Sequence, residues 1–555
     1  MKELIVDLLS KHVSLEAQEI AKLLEIPKDS SKGDYAFPCF ALSKEMKKSP
    51  NHIALDLASK IRSPGFEKIE ASGPYLNFFI NRSSLAQEVL AKIIKEKNNY
   101  GSSKIFKSKT LVIEMSSPNV AKPFGIGHLR STIIGNSLAE ISSFLGFKVI
   151  KINYLGDWGT PFGKIISGYM DFGSTQEFKK NPIKHLYEIY VKTSQNLEYE
   201  QKARDCFKKM ESQDKKIMAL WKKFRSASLE EFNKIYSLLG IKFDVLSAES
   251  EYRELDSTVN LLEKKGLLKE SEGALIVDLE KFNLGVCLIK KSDGTTLYST
   301  RDIAAALDRH KKYKFQGMLY EVGSEQKLYF RQLFKVLELL GNGWAKDLKH
   351  VEHGLYLDKD GKKFATRKGK TFFMESIFQE TKDLAKIEIK KRESQISEKA
   401  LEERAGKIAL AAIFYGDLKN YRSNDMVFDI ERFLSFEGDT GPYLLYTYAR
   451  AKSILKKSQE IKDKFKIENI SEKEKALILH LDSFPKIVRE AYSGLNPSII
   501  AHYAYHLSQA FNEFYHSEKV IGSKDEPFKL ALVSSVAQVL KNSLSLLGIQ
   551  VIEKM

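Results

Sequence analysis

The sequence predicts an α/β protein: a parallel sheet with its helices between a smaller N-terminal α/β module and an all-helical C-terminal region. Three observations carry this. First, Thr110–Met115 reads as a buried strand and a glycine-containing turn follows it. Leu129, Ile133, Leu138, Ile141 and Leu145 then recur at helical spacing before a second strand, Lys148–Tyr154. Second, strand and helix alternate again at Gly317–Val322 and Glu325–Leu340, the pattern of a parallel sheet. Third, from about residue 386 the apolar periodicity is helical to the end of the chain.

Taken in order, residues 1–105 form the small module. Helical patterns at Met1–Leu24, Ile53–Ile61 and Ser84–Lys95 alternate with strand-like pieces at Tyr35–Ala41 and Tyr75–Ile80, and the basic stretch Lys95–Lys109 reads as a linker. Residues 106–385 hold the sheet. Gly146 sits where a helix C-cap glycine belongs. The charged, helical stretch from Ser174 to Leu239 reads as an inserted subdomain. The sheet is expected to resume at Gly285–Lys290, turn at Asp293-Gly294 and continue through Thr295–Tyr298. A helix then starts at Ser299-Thr300-Arg301-Asp302, with Asp302 placed as a capping acid. In residues 386–555, breaks are expected at Gly438, Gly441-Pro442, Pro485, Pro497, Gly522 and Pro527. The many aromatics there, including Tyr443, Tyr446, Tyr448, Tyr503, Phe511 and Tyr515, fit a helical core better than a stacking surface.

Composition narrows the class. The 555 residues allow about three or four domains. Lys and Arg number 88 against 72 Asp and Glu, a net charge of +16, which favours a polyanionic partner such as nucleic acid. The cysteines Cys39, Cys206 and Cys287 are far apart and give neither zinc spacing nor a disulfide framework. The N-terminus carries early acids and no apolar h-region, and no apolar run approaches the ~20 residues of a membrane span. A soluble cytoplasmic protein without a structural metal is expected.

The chemistry concentrates between Ser116 and Ser131. A strand, a glycine turn and a helix start aim backbone N–H groups and a helix dipole at one spot, which suits phosphate. Gly125 and Gly127 begin a G-x-G-x-x-G, but Arg130 holds the third position and no acid stands about twenty residues on, so a dehydrogenase is disfavoured. No Gly-Lys-Ser/Thr follows, which excludes a P-loop. His128 at the helix start can donate to a phosphate oxygen. Taken alone, it reads more readily as a helix-capping side chain.

The whole block Ser116-Ser117-Pro118-Asn119-Val120-Ala121-Lys122-Pro123-Phe124-Gly125-Ile126-Gly127-His128 resembles the HIGH signature region of the arginyl-tRNA synthetases, a class I aminoacyl-tRNA synthetase family. Asn153–Gly163 resembles the family's G-D-W-G-T segment. In the N-terminal module, Gly33–Pro38 and Gly73–Phe78 resemble the family's tRNA-elbow-contacting domain. Phe436–Tyr443, Tyr446–Arg450 and Phe511–His516 resemble its anticodon-binding helices. The resemblance covers the entire chain, with one departure: Gly125 replaces the first histidine of HIGH.

The resemblance implies a Rossmann-like catalytic sheet and a two-step reaction. Arginine carboxylate attacks the α-phosphate of ATP, and the terminal ribose of tRNA then takes the arginyl group. His128, with Gly125 and Gly127, is expected to face the phosphates, and Lys122 lies just upstream. The second signature, KMSKS, matches loosely at Lys362–Thr371, where Arg367, Lys368 and Lys370 supply charge and Lys122 compensates for the loose match. A guanidinium presents five donors in a plane and needs carboxylates and other acceptors around it. Residues matching Glu114, Ser117, Asn119, His128, Tyr298, Asp302 and Gln326 surround arginine in the family. Tyr448, Arg450 and Tyr515 are expected to meet tRNA. ATP as a substrate, Mg²⁺ accompanying it, no zinc, and a monomer whose activation step needs tRNA complete the expectation. Two alternatives remain: a non-catalytic RNA-binding relative, and a class I synthetase for another amino acid.

Overall fold

The computed structural model describes residues 1–27, 29–292, 294–295, 297–362, 373–458 and 465–555. The chain divides into two compact units. One comprises Met1–Tyr100, Ala451–Phe484 and Leu507–Val539, and the other Gly101–Arg450, Pro485–His506 and Leu540–Met555.

The larger unit is built on five parallel strands: β1 (Thr110–Glu114), β2 (Lys148–Leu155), β3 (Val245–Ala248), β4 (Gly317–Gly323) and β5 (Leu348–His353). Their order is β5-β4-β1-β2-β3. Val112 and Ile113 of the central β1 are fully buried, as a strand covered on both faces requires. From β1 the chain winds to β2 and β3 on one side and returns to β4 and β5 on the other. The carboxyl ends of β1 and β4 therefore form the topological switch point, where open α/β sheets place ligands. Three helices frame it: α1 (Ile126–Phe144), α2 (Tyr298–Tyr313) and α3 (Lys327–Leu339). Gly146 follows α1 with φ of 100°, as a C-terminal glycine cap should.

Between β2 and β3, the segment Ser174–Leu239 forms helices Thr175–Lys180, Pro182–Ser194, Glu198–Glu211 and Lys215–Leu239. They pack on Thr160–Phe172 so closely that a Cβ on Gly163 would stand 2.1 Å from the carbonyl oxygen of Ala203.

Some expectations need correction. Val286–Lys290 does not extend the parallel sheet. It pairs antiparallel with Ala274–Asp278 in a separate three-stranded sheet completed by Leu268–Ser271. Its apolar residues alternate between buried Cys287 and Ile289 and exposed Val286 and Leu288, so an all-apolar run hides a one-sided strand. Of the expected strand Thr295–Tyr298, Thr296 lies outside the described residues; Thr295 and Leu297 belong to no strand, the N–H of Lys291 donates to the Thr295 carbonyl, and Tyr298 opens α2. Asp293 of that turn lies outside the described residues. Residues 385 and 386 fall within one helix, Met374–Arg392. The helical region also contains a short strand, Met426–Val427, paired with Tyr356–Leu357. Pro485 does not end its helix, which runs from Glu472 to Ser493.

In the smaller unit, Tyr75–Ile80 is the central strand of an antiparallel sheet between Tyr35–Pro38 and Phe66–Ser72. The largely polar Phe66–Ser72 gave no apolar signal. Met1–Leu24 is two helices, Lys2–Ser10 and Ala17–Leu23, because the Glu16 N–H donates to the Glu19 carboxylate at a new helix start.

Candidate active site

The turn after β1 is held in a conformation that ordinary residues rarely adopt. Ser116, Ser117 and Ala121 lie in the left-handed region, at φ of 74°, 44° and 60°. Such strain persists only where the surroundings fix it. Here the Ser116 N–H donates to Ser131 Oγ at 2.9 Å, Thr132 Oγ1 donates to Ser116 Oγ at 2.8 Å, and the Ala121 N–H donates to Ser228 Oγ at 2.8 Å. Ser116 Oγ also shares a hydrogen bond with the Tyr236 hydroxyl. Thus α1 and the helix Lys215–Leu239 fix the turn from two sides. The buried hydroxyl of Ser117 has no partner among the described residues and is free to meet a ligand.

His128 combines the two roles the sequence offered. The Gly125 N–H donates to its Nδ1 at 3.2 Å, which caps α1 and leaves the ring proton on Nε2 as a donor. Burial, helped by the charges of Lys122 and His353, holds the imidazole pKa down at about 4, so it works as a neutral donor. A Cβ on Gly125 or Gly127 would meet no described atom within 4 Å, so a ligand can approach the backbone N–H groups at the helix start.

A cavity of about 660 Å³ opens beside this turn, with Asn119, Lys122, Trp158, Glu249, Tyr298 and Arg301 in its walls. Lys122 Nζ rests 4.2 Å from the centroid of the Tyr190 ring. A Cβ on Gly156 would stand 2.4 Å from Asn119 Oδ1, so a side chain there would displace the Asn119 amide from its place beside the paired segments. Asp157, the acid of G-D-W-G-T, is completely buried and does not face the cavity as a reactive group. Its oxygens accept from the Ser250 N–H (2.9 Å), Ser250 Oγ (2.8 Å) and Arg225 Nε (2.9 Å), and its carbonyl accepts from Trp221. It ties the end of β2 to the helical insertion.

Three carboxylates gather on this side of the switch point. Glu114 forms a buried ion pair with Arg309 of α2. Asp302 does not cap α2, whose N-cap is Leu297. It accepts from the Tyr329 hydroxyl of α3, and burial raises its pKa to about 6. Tyr298 lies one turn before Asp302 on the same face, with its ring 5.0 Å from that of Tyr329. Glu249 faces Arg301 at 3.5 Å and is pushed up to about 7 by burial. The sequence reading missed Glu249 and Arg309. Both are single charged residues in charged stretches, and only the fold turns them inward. Gln326 is exposed at the end of a short 3₁₀ turn; like Glu114, Ser117, His128 and Asp302, it is not in the cavity wall.

Arg367, Lys368 and Lys370 lie outside the described residues. Phe373, immediately after that segment, bridges to the backbone of Gly125.

Of the residues expected to meet tRNA, Tyr448 is 5% exposed and packs in the core, which removes its ring from any stacking surface. Arg450 lies 4.7 Å from the Tyr446 ring, and Tyr515 is 39% exposed.

A parallel nucleotide-binding sheet with a signature histidine opening α1 defines the class I aminoacyl-tRNA synthetases. Residues 89–430 match the family "tRNA synthetases class I (R), catalytic domain". Residues 1–80 match "Arginyl tRNA synthetase N terminal domain", and 444–555 match "DALR anticodon binding domain". An arginine–tRNA ligase of Clostridium perfringens is 45% identical over 567 residues, covering 100% of both chains, and one of Clostridium botulinum (strain Alaska E43) is 45% identical over 563, again covering 100% of both. The arginyl-tRNA synthetase structure from Plasmodium falciparum superposes with a TM-score of 0.78 at 26% identity, covering 96% of this chain and 94% of that one. That from Thermus thermophilus shares the fold, with a TM-score of 0.82 at 24% identity over 100% and 99%. The chain belongs to the arginyl-tRNA synthetases.

Proposed function

We propose that this arginine–tRNA ligase activates arginine at the switch point that adjoins the cavity, with Glu114, Asp302 and Glu249 meeting the charged ends of the substrate. The observation that carries this reading is the clustering of these carboxylates around one switch point. With Arg301 and Arg309 counted, the cluster keeps one uncompensated negative charge when all are ionised, which suits a cationic side chain. Asn119 and Tyr298 add polar groups in the cavity wall, and the unpartnered hydroxyl of Ser117 lies in the adjoining turn.

ATP is placed at the start of α1. There the Nε2 proton of His128 and the backbone N–H groups near Gly125 and Gly127 neutralise phosphate charge that grows as pyrophosphate leaves. Lys122 is positioned to assist, and Arg367, Lys368 and Lys370 are assigned the same task by their place in the sequence. Mg²⁺ would arrive on the ATP phosphates; among the described residues no three His, Cys, Asp or Glu side chains converge as a metal site. Arginyl transfer to the tRNA ribose follows. Residues 1–105 and 386–555, including Arg450 and Tyr515, are proposed to hold tRNA, with binding of tRNA selecting the state that activates arginine. The enzyme is proposed to act as a cytoplasmic monomer; among the described residues no helix is long and apolar enough to cross a membrane.

The test is ATP–pyrophosphate exchange with each amino acid, with and without cognate tRNA. Exchange restricted to arginine and switched on by tRNA is the expected result. Equal exchange in both conditions would overturn the tRNA requirement, and exchange with another amino acid would overturn the substrate assignment.

A further inference from the structure

We propose that Arg309 is a positioning residue for arginine recognition, its buried guanidinium holding Glu114 ionised and aimed at the substrate. This rests on the reading that Glu114 belongs to the arginine site.

Arg309 is 3% exposed and Glu114 5%, and the contact runs from Nη1 to Oε2. The two residues are far apart in sequence and meet only because α2 packs across the end of β1. Arg309 stands two turns beyond Asp302, on the same face of α2, so one helix brings a recognition carboxylate and a cation to the same wall. A buried arginine kept only for packing normally has its donors satisfied. Here Nε and Nη2 have no hydrogen-bond partner among the described residues. The guanidinium instead lies 4.6 Å from the centroid of the Tyr154 ring, whose own buried hydroxyl is also unpartnered.

Glu114 needs such a neighbour. From α2 it faces Asp302 as well as Arg309, from β2 Tyr154, and from β4 Tyr320. Tyr329 of α3 is bound to Asp302. Arg309 is the cation in direct contact with Glu114. Burial holds the Glu114 carboxyl above its ordinary value, and Arg309 offsets part of that rise. A neutral carboxylic acid loses the charge-assisted hydrogen bond to an ammonium or guanidinium group. The Arg309 bond engages Oε2 and leaves Oε1 for the ligand.

The experiment is steady-state aminoacylation between pH 6 and 9, reading KM for arginine and for ATP separately. Arg309→Met is expected to raise the arginine KM by about ten-fold near neutral pH, because the charge-assisted bond to the substrate is weakened. The effect should shrink as pH rises and leave the ATP KM unchanged, and Arg309→Lys should recover most of it. Arg309→Met leaves a buried carboxylate alone, so its folding is checked by thermal melting. The paired variant Glu114→Gln/Arg309→Met removes both charges and gives a second route. If Arg309 acts through Glu114, the double variant shows the arginine KM of Glu114→Gln alone. An effect that is independent of pH and equal for arginine and ATP would overturn the proposal, as would additive losses in the double variant. An unchanged arginine KM in Glu114→Gln alone would instead overturn the site reading on which the proposal stands.

Discussion

The hydroxyl of Tyr100 donates to the main-chain carbonyl of Leu481 at 2.8 Å, and that carbonyl lacks its helical partner because Pro485 stands four residues on. Proline has no N–H to return to position i−4. The helix Glu472–Ser493 therefore continues through a residue that should stop it, with a side chain from elsewhere in the smaller unit supplying the missing donor. Tyr100→Phe should lower stability by about 1–3 kcal/mol, the usual result of leaving a buried acceptor unpaired. Thermal melting checks this. Adding Pro485→Ala, which restores a backbone N–H, should reduce the loss; an undiminished loss would show that the hydroxyl acts elsewhere.

His128→Ala should cut pyrophosphate exchange by about 3 kcal/mol of transition-state stabilisation, on the order of a hundred-fold, while the protein stays folded. Because the imidazole pKa is held at about 4, His128 should contribute no inflection to the rate between pH 6 and 8. Its effect on stability runs the other way from a stabilised imidazolium. The folded state resists protonation, so stability is full above the unfolded value near 6.5 and is lost as pH falls from there toward 4. Exchange at the wild-type rate in a folded variant would remove His128 from the mechanism.

Asp302 carries a raised pKa of about 6 and Glu249 one of about 7, so both of these carboxylates lose charge in weak acid. Arginine KM should rise as pH falls below about 6 and Asp302 gains a proton, whereas ATP KM should not follow it. Asp302→Asn should raise arginine KM at neutral pH and remove the step near pH 6, leaving the one that Glu249 contributes near 7. The sign for stability is opposite to the sign for binding: a raised carboxyl favours the protonated fold, so its contribution declines as pH climbs from 3.8 to about 6. An arginine response in Asp302→Asn that matches the unsubstituted enzyme would take Asp302 out of the pocket.

Asp157→Ala should be among the more disruptive single changes in the larger unit. It leaves Arg225 and two Ser250 donors without their acceptor, a loss of about 3–5 kcal/mol for a broken buried pair. Melting temperature should fall, and arginine KM should rise because the cavity wall at Trp158 and Gly159 hangs on this residue. A variant that melts normally would show that the helical insertion is held by its apolar contacts alone.

The strands β1, β2 and β4 and the helix α1 were legible because buried parallel strands are continuous apolar runs and a long helix repeats its period many times. The same rule misled at Val286–Lys290, where Val286 and Leu288 are apolar but exposed. Glycine punctuation worked at Gly146 and proline punctuation failed at Pro485, since a tertiary hydrogen bond can replace what proline removes. Within the candidate site, His128 and Asn119 stood out in the signature block, and Tyr298 and Asp302 only through the family resemblance. Glu249 and Arg309 were not, because their importance lies in burial beside partners tens or hundreds of positions away. The Asp157 clamp was read only as part of a motif, and its acceptor role needed the insertion helices in place. Tyr448 shows the limit in the other direction: an aromatic inside a recognised motif turned out to be core.

The bare start of α1 separates two demands that usually fall on the same glycine. Gly125 has φ of −87°, a backbone that any amino acid tolerates, and no described atom lies within 4 Å of where a Cβ would stand. Among the described residues neither the backbone nor the first atom of a side chain therefore forbids histidine at this position. Gly125→His should leave the melting temperature unchanged, so whatever it does to exchange would report on the nucleotide alone. The departure from the family's signature is thus a change the chain could reverse in a single substitution, with the bound substrate, rather than the fold, deciding whether the reversal helps.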